Sequence, residues 1–228
     1  MKRIIALLTI FAFGTPMIAQ NENHPYCSKM DAFKHVQAKS NTFSMAQIAQ
    51  TEKYDVGFYA LDLALDNLST DISGTVEIHA KANAAMTTVL LELFNSLTVS
   101  EVRIDGNPVS FTHNSTALEI AANLNAGDDF IVAIDYAGTP PNGATNPLGG
   151  GGMTNASSPS WGAQVTWSLS EPFSAMEWFP CKQSLRDKAD SCSVKITVPD
   201  HLKAAANGDL ENVVNLGNGT TRYEWMHR

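Results

Sequence analysis

Apolar and polar residues alternate along most of the chain after residue 53, and this alternation predicts a protein built from short β-strands. From Tyr54 to Leu65 the pattern is that of a long strand with one buried face. Turn-forming pairs such as Asp105-Gly106 and Gly127-Asp128 separate many of the later segments. The later segments predicted as strands are Ile72–Ala80, Val89–Phe94, Val99–Ile104, Val109–Phe111, Leu118–Ile120, Phe130–Tyr136, Gln164–Ser168, Ser193–Val198, Lys203–Ala206 and Arg222–Met226. Because no helical segments alternate with these strands, the pattern favours an all-β fold, an antiparallel sandwich or barrel.

The start of the chain has the features of a secretory signal peptide. Lys2 and Arg3 precede an apolar run from Ile4 to Phe13, and Ala19 offers a small residue for cleavage. We therefore assign residues 1–19 to a signal peptide and expect a secreted or periplasmic protein. About ten apolar residues cannot cross roughly 30 Å of hydrocarbon, so we expect no membrane span once the signal is removed.

Residues 20–51 have a helical pattern instead, with apolar residues three apart at Met45 and Ile48 among others. We expect a short helical N-terminal extension that lies on the surface of the main domain, which we place at residues 52–228. Within that domain, residues 138–162 are nearly all Gly, Pro, Asn, Ser and Thr, a composition that predicts a long loop.

The composition excludes one class of partner. The formal net charge is −8 at pH 7, and Lys and Arg form no basic stripe that could neutralise phosphates. We therefore expect no nucleic-acid partner, and the modest excess of acidic residues chiefly favours solubility.

The three cysteines leave two interpretations open. In an exported chain, Cys181 and Cys192 could form a disulfide if their Cα atoms lie within about 7 Å, which would leave Cys27 unpaired. A zinc site is the alternative, but no CxxC or Cys/His spacing supports it. The six histidines are scattered and none is followed by Glu, so the sequence contains no HExxH motif and predicts no metal site in this chain.

Glu171 is the single candidate site residue. It follows a predicted strand, Pro172 comes directly after it, and Phe173 is the first of several aromatic residues nearby. A carboxylate partly shielded by aromatic rings attracts a cation, such as a substrate ammonium, more strongly than one in bulk water. The alternative is a loop glutamate above aromatic residues of the core. The aromatic residues that we assign to the core are Trp161, Trp167, Trp178 and Phe179.

Several motifs together resemble a known family. Ser170-Glu171-Pro172, Glu177–Lys182 and Asp187–Asp190 resemble the exported bacterial branch of the aminopeptidase N family of zinc metallopeptidases, in its N-terminal domain. The resemblance covers about residues 52–228. Shorter motifs occur in the family's order: Tyr54-Asp55, Ile72-Ser73-Gly74, Asp105-Gly106, Tyr136-Ala137-Gly138 and Asn207-Gly208-Asp209-Leu210.

The resemblance implies a saddle-shaped β-sandwich that packs on a separate catalytic domain. That domain would hold zinc through HExxH, so this chain itself would contain no cofactor and no catalytic residue. Glu171 occupies the place of an acid that the N-terminal domain lends to bind the α-amine of a peptide. Anchoring that amine would fix which peptide bond reaches the zinc-bound water. Leu169 replaces a Gln that is frequent in the family, so the resemblance implies no second contact to the amine from that position.

A strand pattern continues almost to the last residue, so we expect the chain to be the front part of a longer enzyme that includes the catalytic domain. Two other hypotheses remain. One is a free-standing β-sandwich that binds a ligand such as a carbohydrate through exposed aromatic residues. The other is a self-contained hydrolase that uses Glu171 and Glu177 as a carboxylate pair, although both lie in one short irregular segment.

Overall fold

The structure is a computed structural model that describes residues 43–142, 151–158, 160, 162–170 and 173–228. The predicted signal peptide and most of the predicted N-terminal extension lie outside the described residues, as does Cys27. Among the described residues, no helix is long and apolar enough to cross a membrane.

The described part of the chain is all-β apart from one short α-helix and one 3₁₀ turn, as the alternation predicted. Helix α1 begins after Ser44, whose side chain accepts a hydrogen bond from the backbone of Gln47, while the Gln47 side chain accepts one from Ser44. The 3₁₀ turn is Ala175–Glu177. The elements are α1 Met45–Thr51, β1 Tyr54–Leu65, β2 Ile72–Ala82, β3 Met86–Glu92, β4 Leu97–Ile104, β5 Asn107–Pro108, β6 Phe111–Asn114, β7 Ala117–Leu124, β8 Asp129–Gly138, β9 Gly151–Ser157, β10 Gln164–Leu169, β11 Ser191–Pro199, β12 Asp209–Asn215 and β13 Thr220–His227.

The strands form three sheets. The large sheet has eight strands in the order β12-β13-β11-β1-β2-β8-β4-β5, the small sheet has the order β3-β7-β6, and β9 pairs with β10. One strand pair departs from the predicted antiparallel arrangement, because β1 and β11 run parallel, with Leu61 opposite Val194. The chain returns to β1 after a long excursion through β2 to β10, so β11 enters the sheet in the same direction as β1.

The core lies between one face of the large sheet and the small sheet. Val76 of β2 and Ile134 of β8 face Val89, Leu118 and Ile120 of the small sheet, and all five side chains are fully buried. Polar residues such as Glu77 of β2 and Glu119 of β7 alternate with these positions and are exposed, which explains the alternation in the sequence.

The hairpin of β9 and β10 is attached to the connection between β1 and β2. The side-chain amide of Asn155 donates a hydrogen bond to the carbonyl oxygen of Asn67 at 2.8 Å. The hydroxyl of Thr166 donates to the carbonyl oxygen of Ser69 at 3.0 Å. The predicted loop at residues 138–162 is therefore wrong for Gly151–Ser157, because these small residues obtain strand partners from β10.

Two further strand predictions differ from the structure, Val109–Phe111 and Lys203–Ala206. Val109 lies between β5 and β6, and β6 begins only at Phe111. Lys203–Ala206 is not a strand, because it follows the end of β11 and none of the described strands pairs with its backbone. The strand at that end of the sheet is instead Asp209–Asn215, which pairs with β13 and has all seven residues exposed. The Asp105-Gly106 turn was predicted correctly, since both residues have the positive φ that tight hairpins require, 50° and 79°.

Candidate functional site

An apolar groove of about 710 Å³ lies along the inner face of the large sheet, beside the segment that follows β10. Leu61 and Leu63 of β1 and Val194 and Ile196 of β11 form part of its lining. The hairpin of β9 and β10 borders it, and its volume falls within the range of small-molecule pockets. Other residues that line the groove are Val165, Trp167, Ser170, Trp178, Phe179 and Leu202.

Aromatic rings pack edge to face at one end of the groove. The ring centroids of Trp178 and Phe179 are 4.6 Å apart, and those of Tyr59 and Phe179 are 6.0 Å apart. The hydroxyl of Tyr59 accepts a hydrogen bond from the backbone N–H of Lys182 at 3.1 Å. Burial raises the pKa of Tyr59 well above its usual value, so the phenol stays protonated and serves as a packing and hydrogen-bonding group.

Ser170 is held from two directions. Its hydroxyl accepts a hydrogen bond from the indole N–H of Trp178 at 2.8 Å, and its carbonyl oxygen accepts one from the backbone N–H of Ser174 at 3.0 Å. The carbonyl oxygen of Trp178 in turn accepts a hydrogen bond from the hydroxyl of Tyr136, a buried residue of β8, at 2.9 Å. Ser170, which directly precedes positions 171 and 172, is therefore connected to the large sheet through Trp178 and Tyr136.

Glu177 anchors the start of β9. Its side chain is 5% exposed, and its carboxylate accepts a hydrogen bond from the backbone N–H of Gly152. A Cβ at position 152 would lie 2.4 Å from the Cβ of Glu177, a distance that real structures do not show. Gly152 is therefore required by the close approach of β9 to the 3₁₀ turn.

A buried ion pair between Lys182 and Asp187 holds residues 182–190 against β1. Lys182 and Asp187 pair with side chains only 5% and 9% exposed, and the Lys182 Nζ also donates to the carbonyl oxygen of Tyr54 at 2.6 Å. The same Nζ lies 4.4 Å from the centre of the Tyr54 ring. The Asp187 carboxylate accepts from the backbone N–H of Val56, which provides the hydrogen bond that a neighbouring strand would otherwise supply.

A second carboxylate lies beside this pair. Desolvation first, and then the negative charge of Asp187, raise the pKa of Asp55 above its usual value. Lys182 opposes this shift because its positive charge favours the ionised carboxylate. The arrangement holds residues 182–190 against β1.

Cys181 and Cys192 are free thiols in the structure, so the candidate disulfide is not formed in it. Cys181 is fixed by two backbone hydrogen bonds to Glu92, and Cys192 lies within β11 opposite Tyr59. Burial raises the pKa of both thiols, most strongly for Cys181. Both remain protonated at neutral pH and are therefore poor nucleophiles and poor metal ligands.

The structure confirms some of the residue assignments made from the sequence, contradicts one of them and does not describe two others. Glu171, the candidate amine-binding residue, lies outside the described residues, and so does Trp161. Trp178 and Phe179 are partly buried against the core as predicted, whereas the assignment of Trp167 to the core is wrong, because its side chain is 39% exposed beside the groove.

Two features of the site were missed by the sequence analysis. The Lys182–Asp187 pair lies in an irregular segment where hydrophobic periodicity gives no signal, although the density of charges in Asp187–Asp190 could have pointed to it. Gly152, within a glycine-rich run, could have been recognised as a point of close backbone approach.

The described residues do not fit a metal centre. No group of three or more His, Cys, Asp or Glu side chains among them is placed to hold a metal ion. The cysteines near the groove are protonated and the histidines are dispersed, so these residues offer a shaped apolar surface and hydrogen bonds.

Known structures resemble this fold over most of its length. The M1 zinc metallopeptidase of Deinococcus radiodurans matches with a TM-score of 0.65 and 25% identity, over 77% of this chain and 39% of that one. A mutant from the same organism, bound to a Tyr-Ser-Ala substrate, gives the same values. A mutant two-domain M1 zinc metallopeptidase bound to L-arginine matches with a TM-score of 0.67 and 27% identity, again over 77% and 39% of the two chains.

The chain therefore spans well under half the length of these relatives. No curated protein gave a significant match. The sequence profile of the Peptidase M1 N-terminal domain family matches residues 50–228, which includes every described β-strand. The chain belongs to the Peptidase M1 N-terminal domain family.

Proposed function

We propose that this chain is the non-catalytic N-terminal domain of an exported zinc aminopeptidase, in which it shapes the substrate cleft and lends Glu171 to bind the α-amine of a peptide. Hydrolysis is carried out by a separate domain that holds the zinc. The role of this chain is to position the peptide, because an anchored amine fixes which bond reaches the reacting centre. Its partners are that catalytic domain and the peptide N-terminus.

The arrangement around Ser170 is the observation that carries the proposal. Ser170 lies at the groove and is fixed by hydrogen bonds from Trp178 and Ser174, and Glu171 is the next residue in the chain. A carboxylate next to a rigid, largely apolar surface interacts with an ammonium group more strongly than one in open water. Two relatives bind an amino acid or a short peptide, ligands with the free α-amine that this role requires.

Substitution of Glu171 in the enzyme that contains both domains tests the proposal. We expect Glu171→Gln to lower kcat/KM for aminoacyl reporter substrates by about 10- to 100-fold, the effect of losing one hydrogen bond to a charged group. Glu119→Gln, at an exposed position on β7, is the matched control and should behave as wild type. Equal activity of Glu171→Gln and wild type would remove the assigned role, and amidase activity of the 228-residue chain alone would contradict its non-catalytic assignment.

One observation favours a free-standing binding module as the second candidate. Trp167 and Val165 are both exposed beside the groove, and an exposed indole can stack on a sugar ring. Tryptophan fluorescence titrations with a panel of oligosaccharides separate the two functions. The aminopeptidase role predicts no saturable change, whereas saturable binding that is lost in Trp167→Ala would support the second candidate.

A further inference from the structure

We propose that Trp178 is a positioning residue for amine binding, because its indole N–H fixes the hydroxyl of Ser170, the residue directly before Glu171. This inference rests on the proposed function of Glu171. It assigns to Trp178 and Ser170 the role of positioning Glu171 through the backbone, with no contact between either side chain and the substrate.

The first step of the inference is the rigidity of Trp178. Its carbonyl oxygen accepts a hydrogen bond from Tyr136 of β8, its N–H donates to Ala175 at 3.1 Å, and its ring packs against Phe179. Tyr136 is 3% exposed and lies in the middle of the large sheet, opposite Gly74 of β2. The backbone of Trp178 is therefore connected to a buried strand of the large sheet.

The second step is the link from Trp178 to Ser170. The 2.8 Å bond from the indole N–H to the Ser170 hydroxyl spans eight residues of sequence and closes the segment on itself. The bond from Ser174 N–H to the Ser170 carbonyl closes the same segment from the other end. Both the side chain and the carbonyl oxygen of Ser170 are therefore held by hydrogen bonds, and Ser170 is the residue to which Glu171 is joined in the sequence.

Packing alone does not require this bond. The indole nitrogen of Trp225 in β13 is also shielded from solvent, yet it has no hydrogen-bond partner among the described residues. The fold therefore accommodates a tryptophan without an acceptor, and the two tryptophans form a natural pair for comparison. Phenylalanine at either position keeps an aromatic ring and removes the N–H.

The test uses the enzyme that contains both domains and measures kcat and KM separately for an aminoacyl reporter. Trp178→Phe and Ser170→Ala should each raise KM about tenfold, the typical effect of one hydrogen bond, with kcat changed less than about twofold. The double variant should be no worse than either single variant, because both remove the same bond. Ser170→Thr keeps the hydroxyl and should have the same KM as the wild type. Trp225→Phe is the matched control.

The outcomes separate this inference from the proposed function. If Glu171→Gln is impaired while Trp178→Phe and Ser170→Ala both retain the wild-type KM, the inference is wrong and the function of Glu171 stands. If Glu171→Gln is itself unimpaired, the proposed function fails.

Additive effects of the two substitutions, or an equal loss in Trp225→Phe, would mean that Trp178 acts only by packing and would overturn the inference. Should Trp178→Phe fail to fold, the Ser170→Ala and Ser170→Thr pair decides.

Discussion

The inner face of the large sheet has a covered half and an open half, and the two differ in what lies on top of them. In the covered half, formed by β2, β8 and β4, Val76 and Ile134 are fully buried under the small sheet. In the open half, formed by β11, β13 and β12, Ile196 is half-buried and Val213 is 53% exposed. An alternating sequence therefore specifies which face of a strand is apolar but does not specify how completely that face is covered.

The elements that border the two halves are also attached by different forces. The small sheet is held on the covered half by apolar packing. Around the open half, buried polar contacts fix the irregular segment and the adjacent hairpin, namely the Lys182–Asp187 pair and the bond from Gly152 to Glu177. Substitutions that target packing and polar contacts separately should therefore distinguish the halves.

The largest effect should come from breaking the buried ion pair. Asp187→Asn leaves the Lys182 ammonium buried without its anion, so we expect the free energy of unfolding to fall by about 3–5 kcal/mol. Arg186→Met is the control, because the Arg186 side chain is 89% exposed and its pair with Glu52 should contribute less than about 1 kcal/mol. Urea unfolding of the 228-residue chain measures both, and similar losses would show that the Lys182–Asp187 pair does not hold the segment.

Truncation of matched isoleucines compares the halves directly. Ile134→Ala should destabilise the chain by about 2–5 kcal/mol, because it leaves a cavity in a closed core. Ile196→Ala removes the same atoms from a half-buried site at the groove, so its effect should be nearer about 1 kcal/mol. If both substitutions cost the same in urea unfolding, the open half is covered more completely than the structure indicates.

The smallest effect should appear in the pH dependence of stability, with opposite signs at two carboxyl groups. The hydrogen bond from Arg103, at 2.7 Å, lowers the pKa of Asp135 on β8. The ionised Asp135 carboxylate contributes to the free energy of unfolding above its unfolded-state pKa of about 3.9. This contribution is lost as the pH falls through the lower pKa of the folded state. Asp135→Asn should remove this part of the acid sensitivity in urea titrations at several pH values.

Asp55 should behave in the opposite way, because its folded-state pKa is raised by desolvation and by Asp187. Its favourable contribution is present below the unfolded pKa and is lost as the pH rises through the folded value. Asp55→Asn should therefore stabilise the chain at neutral pH and have no such effect under acidic conditions. The same change at both pH values would contradict the assigned interaction with Asp187.

Much of the covered half could be predicted from the sequence because its strands carry a strong local pattern. The alternation in Ile72–Ala80 and Phe130–Tyr136 is continuous, and turn residues such as Asp105-Gly106 limit the neighbouring strands. Each strand there has an alternating pattern and turn residues at its ends, so the residues of the segment itself are enough to predict it.

The surroundings of the open half could be predicted less well because long-range contacts form them. Gly151–Ser157 has the composition of a loop, and only its pairing with β10 and the contact at Glu177 make it a strand. Lys203–Ala206 was predicted as a strand, but Lys and Ala have low strand propensity and no described strand pairs with the segment. The bond between Trp178 and Ser170 likewise depends on a turn whose geometry no local pattern encodes.

The parallel pairing of β1 with β11 has a consequence for the order of folding. Asp187, which satisfies the backbone of Val56, is 131 residues further along the chain, and the pairing of β11 begins only a few residues later. As the chain folds, hairpins such as β1–β2 can form early, whereas one edge of β1 stays without a neighbour until β11 joins the sheet. Such distant pairing slows folding and leaves the backbone groups of that edge open to association with other chains.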